Sequence, residues 1–245
     1  MNMTLQGLWQ ETRESGSVRE RLYQVLRQSI IRMVLVPGQA LSEKEIAETV
    51  SVSRQPVREA FIRLSEAGLL EVRPQRGTYV VRVSQQAVLQ ARFVREAIEV
   101  AVAHAAAEEG LDARTLNELH ELIERQRRCS ETDDYDRFFQ LDEAFHRALA
   151  LGIGQAAAWR VTEEVKAQLD RVRYLSIPES TPIPKLADQH QAIVDAIVDR
   201  DPAGASRAMG VHQREILHSL PELMRRFPDM FETQQPSAHI MELSQ

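Results

Sequence analysis

The feature that most constrains this chain is a change of texture at Ser84. Before it, three helical patterns and two strand-like runs are compressed into about 65 residues. After it, apolar residues recur only at helical spacing. Such patterning predicts a mainly α protein: a small head with a short hairpin, then an all-α antiparallel helical bundle.

In the head, Val18, Leu22, Val25, Leu26, Ile30 and Met33 form one helical stripe that Pro37-Gly38 stops. Ser42-Glu43-Lys44-Glu45 has the spacing of a capping box and opens a short helix through Val50. Ser53 opens the next, with Pro56 in its first turn, where a missing N–H is tolerated. That helix ends near Gly68. Residues 69–72 and 78–81 read as strands joined by Pro74-Gln75-Arg76-Gly77, a hairpin with a basic tip. Three helices and a hairpin are the plan of a winged helix-turn-helix, expected over residues 16–83. Residues 1–15 are polar and unpatterned and read as a flexible arm.

Beyond Ser84, helices are expected over residues 85–109, 112–129, 134–151, 155–176, 185–200 and 203–226. Gly110, Gly152, Gly154 and the segment from Pro178 to Pro184 punctuate them. Asp112 and Asp201 suit N-caps, with Pro202 at the first helical position. This defines an effector and dimerisation domain over 84–227, with 228–245 read as a loose tail.

Net charge is −6 overall, but residues 1–82 carry 12 Lys/Arg against 9 Asp/Glu and residues 83–245 carry 18 against 27. A basic head on an acidic body suits a nucleic-acid binder, because local potential attracts phosphates. The lone cysteine, Cys129, excludes an intrachain disulfide. No apolar run is long enough to span a bilayer. A cytoplasmic protein with no membrane partner is expected.

In a helix-turn-helix the second helix enters the major groove amino-terminus first. Arg54, Gln55 and Arg58 lie in its first turns, with Val57, Phe61, Ile62 and Leu64 available to pack behind. Arginine can bridge guanine O6 and N7, and glutamine can do the same for adenine. Arg76 at the hairpin tip suits a phosphate or the minor groove, and Lys44 suits a backbone clamp. By periodicity alone, a solvated arginine-rich face reads as well as a DNA-reading one. Leu41-Ser42-Glu43, then Val52-Ser53-Arg54-Gln55-Pro56-Val57-Arg58-Glu59-Ala60, Leu64, Gly68-Leu69 and Arg76-Gly77-Thr78-Tyr79-Val80 resemble the GntR family of bacterial transcription regulators. The resemblance covers nearly all of residues 18–82. It implies double-stranded operator DNA as partner, a homodimer, and DNA contact at Lys44, Arg54, Gln55, Arg58, Arg76 and Gly77.

Asp142 and His146 lie one turn apart on a helix whose Phe138, Leu141, Phe145 and Leu149 face the bundle interior. His190 shares a stripe with Ile193 and Ile197, and His212 lies close to Met209 and Ile216. By spacing, these are either hydrogen-bonded core residues or the ligands of a bundle metal site. The carboxy-terminal half resembles the effector domain of the FadR subgroup of GntR regulators, in which an aspartate and three histidines hold a divalent metal. That resemblance implies Asp142, His146, His190 and His212 as ligands, with Zn²⁺ first and Ni²⁺, Mn²⁺ or Fe²⁺ as alternatives. His104, His120, His218 and His239 match no ligand position.

The same resemblance implies a small carboxylate effector that completes the metal's shell and pairs with Arg95, whose planar fork offers two bonds. Arg171, Arg173 and Tyr174 are expected to add polar contacts. Gln155 departs from the asparagine common at that point of the family. Within it, the pattern is most similar to regulators of sugar-acid and related carbohydrate operons, so a sugar acid is the expected effector. Two other readings stand beside this one. The metal itself can be the signal. A metal-dependent hydrolase or lyase would need a general base beside the metal water. Glu143 points about 100° around the helix from Asp142, and no His-Glu-x-x-His motif is present. The chain is therefore expected not to be an enzyme.

Overall fold

The computed structural model describes residues 4–12 and 16–233. The head contains α1 (Leu5–Glu11), α2 (Val18–Ile31), β1 (Ala40–Leu41), α3 (Glu43–Val50), α4 (Arg54–Glu66), β2 (Leu70–Arg73) and β3 (Gly77–Val80). Ser42 caps α3 by accepting from the Glu45 N–H, as the capping-box spacing predicts. Ser51 takes a left-handed conformation between α3 and α4, which makes the tight turn of the helix-turn-helix. Pro56 is the third residue of α4, where no intrahelical donor is needed. The sheet is antiparallel in the order β1-β3-β2, with Leu70 opposite Val80 and Arg73 opposite Gly77. β1, two residues long, carries no sequence pattern and went unpredicted; its pairing with β3 defines it.

Two expectations for the head need correction. Residues 5–11 are not an unpatterned arm. They form α1, capped by Thr4, and bury Leu5, Leu8 and Trp9 against α2 and α3. Seven residues are too few to display a helical period among polar neighbours. The Arg21 guanidinium lies 3.5 Å from the centre of the Trp9 ring and donates to the Trp9 carbonyl. Ile62 does not pack behind α4: it is 54% exposed, while Val57, Phe61 and Leu64 are buried. Trp9→Ala is expected to cost about 3 kcal/mol, lowering Tm by on the order of 10 °C in a thermal melt. An unchanged Tm would mean that α1 contributes nothing to the head.

The second domain is built from α5 (Gln85–Glu109), α6 (Ala113–Thr132), α7 (Tyr135–Gly152), α8 (Ala156–Val165), α9 (Ala167–Glu179), α10 (Ile183–Val198), α11 (Pro202–Arg214) and α12 (Ile216–Arg226). Ser84, Asp112, Asp134 and Asp201 cap their helices through their side chains. The core joins Val102, Ala106, Phe138, Phe145, Ile193, Val194 and Met209 from α5, α7, α10 and α11.

Two of the six expected helices are each split. Residues 155–176 break at Lys166 and 203–226 break at Glu215, neither break falling on a glycine or proline. At each break a charged side chain turns inward. Lys166, 2% exposed, reaches Glu143 and Asp170, and Glu215 takes Lys185 Nζ at 2.5 Å and Gln189 Nε2 at 2.9 Å. Apolar periodicity does not register such breaks. The predicted Pro178–Pro184 connection shrinks to residues 180–182, because Pro178 lies within the last turn of α9 and Pro184 sits in the first turn of α10. Nor is the chain loose from Pro228: Pro228–Met230 makes a 3₁₀ turn, and buried Phe231 bridges to Val83. Residues 234–245 lie outside the described residues.

The two domains share packing. Ala167 belongs to the core of the head, and Ile31 belongs to the core of the bundle. Arg27 Nη2 donates to the Glu163 carbonyl at 3.1 Å and lies 4.0 Å from Asp170, while Gln168 Nε2 donates to the Gly68 carbonyl at 2.8 Å.

Candidate metal centre and nucleic-acid interface

α7 presents Asp142 and His146 one turn apart, α10 presents His190, and α11 presents His212; all four are buried. One ligand atom from each lies within 4.8 Å of every other. His146 Nε2 is 3.1 Å from His212 Nε2, and His190 Nε2 is 3.3 Å from His212 Nε2 and 3.6 Å from Asp142 Oδ1. Two ligands about 2.1 Å from one ion stand about 3.0 Å apart at a right angle and about 3.4 Å apart at the tetrahedral angle.

Proton positions make the case stronger. Gln126 donates its Nε2 to the Leu141 carbonyl at 3.1 Å, so its Oε1 must accept from His190 Nδ1, 2.7 Å away. Gln189 donates its Nε2 to Glu215, so its Oε1 accepts from His212 Nδ1 at 3.0 Å. His146 Nδ1 lies 2.6 Å from Glu99 Oε2, off ideal hydrogen-bond angles but facing an acceptor-only carboxylate. Each ring thus carries its proton on Nδ1, and three bare Nε2 lone pairs face one another. That contact is repulsive unless a cation lies between them. Outer partners that hold the far nitrogen are how metal-binding histidines are oriented. The donor set fits a divalent metal.

Electrostatics agree. Burial pushes His190 down to about 3, against the pull of Asp142, and pushes His212 well below the usual histidine range. Burial raises Asp142, but Arg173 and the neighbouring histidines outweigh it and hold it ionised. Glu99 is likewise raised by burial yet held near 2 by Arg95 and His146. In the unfolded chain each histidine takes up a proton near pH 6.5, while His190 resists until about pH 3. The unfolded state therefore binds more protons across that window, and stability is lost as pH falls through it. Chelated protein is expected to lose on the order of 2 kcal/mol between pH 7 and pH 5.5. A Tm that holds level across that interval would contradict neutral, buried His190 and His212.

A cavity of about 30 Å³ adjoins the centre, lined in part by Arg95, Asp142, Arg173, Ser176, Thr181 and His212. Arg95 is buried; its Nε donates to Glu99 Oε1 at 2.5 Å, and its Nη2 has no partner. Arg173 also lines the cavity but is saturated by Asp142, Glu143 and Asp170. It fixes Asp142 rather than offering a free fork. Arg171 and Tyr174 are not among the lining residues. Arg171 is buried with one bond, to Gln168 Oε1 at 3.1 Å, and burial lowers it to about 10. Tyr174 donates to Asp136 at 2.7 Å. Gln155 is an exposed N-cap of α8, away from the cavity lining. Sequence reasoning missed Glu99, Gln126 and Gln189. Of these, Glu99 left a trace, standing one turn after Arg95.

On the head, Lys44, Arg54, Gln55, Arg58, Arg76 and Gly77 are all exposed. Arg54 and Arg58 both reach Glu43 at 3.3 Å, which draws the start of α3 beside the start of α4. Gln55 donates to Glu59 at 3.0 Å, and Lys44 lies 3.8 Å from Glu48. Gly77, at φ +104°, allows the wing to turn without strain.

Residues 18–80 match the model of the bacterial regulatory proteins of the gntR family, and residues 90–215 match the FCD domain. The HTH-type transcriptional repressor RspR of Escherichia coli is 40% identical over 214 residues, covering 87% of this chain and 93% of that protein. The chain belongs to the GntR family. A probable D-xylose utilization operon transcriptional repressor of Paenarthrobacter nicotinovorans is 28% identical, over 71% of this chain and 76% of that one. Among solved structures, E. coli McbR/YncC superposes with a TM-score of 0.74 at 20% identity, covering 87% of this chain and all of its own, and shares the fold. This GntR protein is therefore a DNA-binding transcription regulator with an FCD domain. The hydrolase or lyase reading falls, since the relatives are regulators. No helix among the described residues is long and apolar enough to cross a membrane.

Proposed function

We propose that this regulator is a repressor of a carbohydrate or sugar-acid operon, released from its operator by a small carboxylate. The carrying observation is the convergence of three bare imidazole nitrogens and Asp142 beside a buried Arg95 Nη2 that lacks a partner. Asp142, His146, His190 and His212 would hold a divalent ion, Zn²⁺ first, which supplies a Lewis-acidic site for a carboxylate or hydroxyl oxygen. Arg95 takes the carboxylate's charge, while Arg173 keeps Asp142 turned toward the histidines. The names of RspR and of the D-xylose operon repressor support the repressor and carbohydrate parts of this reading.

The cavity has room for one or two water-sized groups. A sugar acid must therefore part the wall where Thr181 and Ser219 hydroxyls meet at 2.7 Å, moving the α9–α10 turn away from α12. That movement supplies the differential affinity an inducer needs, because a ligand that binds both arrangements equally shifts nothing. Two copies present two reading heads to a pseudo-palindromic operator in the cytoplasm. Phe93 and Val211, 66% and 59% exposed on adjoining helices, offer an apolar face for their pairing.

The test is operator binding by Zn²⁺-loaded protein across a panel of sugar acids, with a thermal melt for each. One acid is expected to raise Tm and weaken operator binding at least ten-fold, and to do neither in Arg95→Met. The small cavity also favours a second reading, in which the metal alone is the signal. Operator affinity that changes on chelation while every acid is inert would select that reading over the first.

A further inference from the structure

We infer that Glu99 is a positioning residue that makes metal binding and anion binding at Arg95 strengthen one another. The inference rests on the proposed metal centre. Glu99 lies on α5 one turn after Arg95 and is 5% exposed. Its Oε1 accepts from Arg95 Nε at 2.5 Å. Its Oε2 lies 2.6 Å from His146 Nδ1 and accepts from Gln213 Nε2 at 2.8 Å. One carboxylate charge is thereby divided between the guanidinium that faces the cavity and the far side of a ligand imidazole.

The division has a direction. Whatever share of the Glu99 charge Arg95 draws is withheld from His146 Nδ1–H. A carboxylate that pairs with the free Nη2 of Arg95 satisfies the guanidinium from the other side. Glu99 then polarises His146 more strongly, and the imidazole Nε2 becomes a better donor. Linkage requires the converse by the same factor: a cation drawing on His146 leaves Arg95 more exposed to its own anion. Gln213 competes for the same Oε2 and precedes the α11–α12 break at Glu215 by two residues. Arg173 takes no part, because its carboxylates are Asp142, Glu143 and Asp170.

The test needs no effector. Zn²⁺ affinity is measured by chelator competition on the full chain for wild type, Arg95→Met, Glu99→Gln and the double variant. Arg95→Met is expected to tighten Zn²⁺ about ten-fold by returning Glu99 to His146, and Glu99→Gln to weaken it about 10- to 100-fold. In the Glu99→Gln background, Arg95→Met should change affinity less than three-fold. Equal effects of Arg95→Met in both backgrounds would show that the arginine acts through space, and overturn the inference. So would weaker Zn²⁺ binding by Arg95→Met alone. If Glu99→Gln fails to fold, Gln213→Leu replaces it. It should tighten Zn²⁺ a few-fold by freeing Oε2, and no change there or in Arg95→Met overturns the inference. His190→Ala separates the two levels: Zn²⁺ bound equally by that variant and wild type sinks the metal centre itself.

Discussion

Protein incubated with Zn²⁺ is expected to retain about one ion per chain after desalting, and His190→Ala and His212→Ala to retain none. A structural zinc site is worth about 10–16 kcal/mol over four ligands, so losing one ligand costs about 3 kcal/mol or more. That is a weakening of at least 10²-fold. The variants differ in what else they remove. The His190 ring stacks on Phe145 at 4.2 Å and is fully buried, so its truncation also opens a cavity. His212 is nearer the surface, and its removal relieves the facing of its Nε2 against those of His146 and His190. Metal-free His212→Ala should therefore melt close to metal-free wild type, and the rise in Tm that Zn²⁺ gives wild type should vanish. Full Zn²⁺ retention in His212→Ala would remove the four-ligand centre.

The second large effect concerns the head. Arg54→Ala and Arg58→Ala are each expected to weaken operator binding by about 1–3 kcal/mol, or 5- to 150-fold, and to relax base preference at one position per half-site. Lys44→Ala should weaken all sequences alike and reduce the salt dependence by about one ion. In the free protein both arginines are tethered to Glu43, at 3.3 Å each. The tether holds the guanidiniums near α3 and lowers their net charge toward phosphates. Glu43→Gln should raise affinity for unrelated DNA while narrowing the gap between operator and non-operator. Quantitative gel shift at two salt concentrations separates these outcomes. An Arg58→Ala variant with unchanged operator affinity would mean that α4 does not read the bases.

Much of this was legible in the sequence, for identifiable reasons. α5 shows at full length because 25 residues repeat their apolar spacing many times and Gly110 ends them. The Asp142–His146 pair shows because both lie on one helix, a turn apart. That His190 and His212 join them was not readable from spacing, since each stands on a different helix and the loops between set no distance. It came through family resemblance. Nothing in the sequence marked Gln126 or Gln189, because a polar side chain within an amphipathic helix is ordinarily solvated. Only the packing of α6 and α10 buries or half-buries them. Arg171 and Tyr174 misled in the opposite way: they share a helix with Arg173, but helical rotation carries them off the cavity. The breaks at Lys166 and Glu215 escaped because hydrophobic periodicity does not record inward-turning charges.

The exchange of Ile31 and Ala167 between the two cores has a consequence for how such regulators diversify. Swapping a reading head onto a different sensor is the obvious route to a new circuit, with the cut falling after Arg82. Here that cut leaves Ile31 without its seat, and it strands Arg27 from the Glu163 carbonyl and Asp170. A working hybrid needs the first turn of α9 to travel with the head, or a recipient whose α9 already carries a small residue at that place. The unit of inheritance is thus larger than the DNA-binding domain, and it includes a piece of the FCD domain that lies 85 positions further along the chain than Arg82.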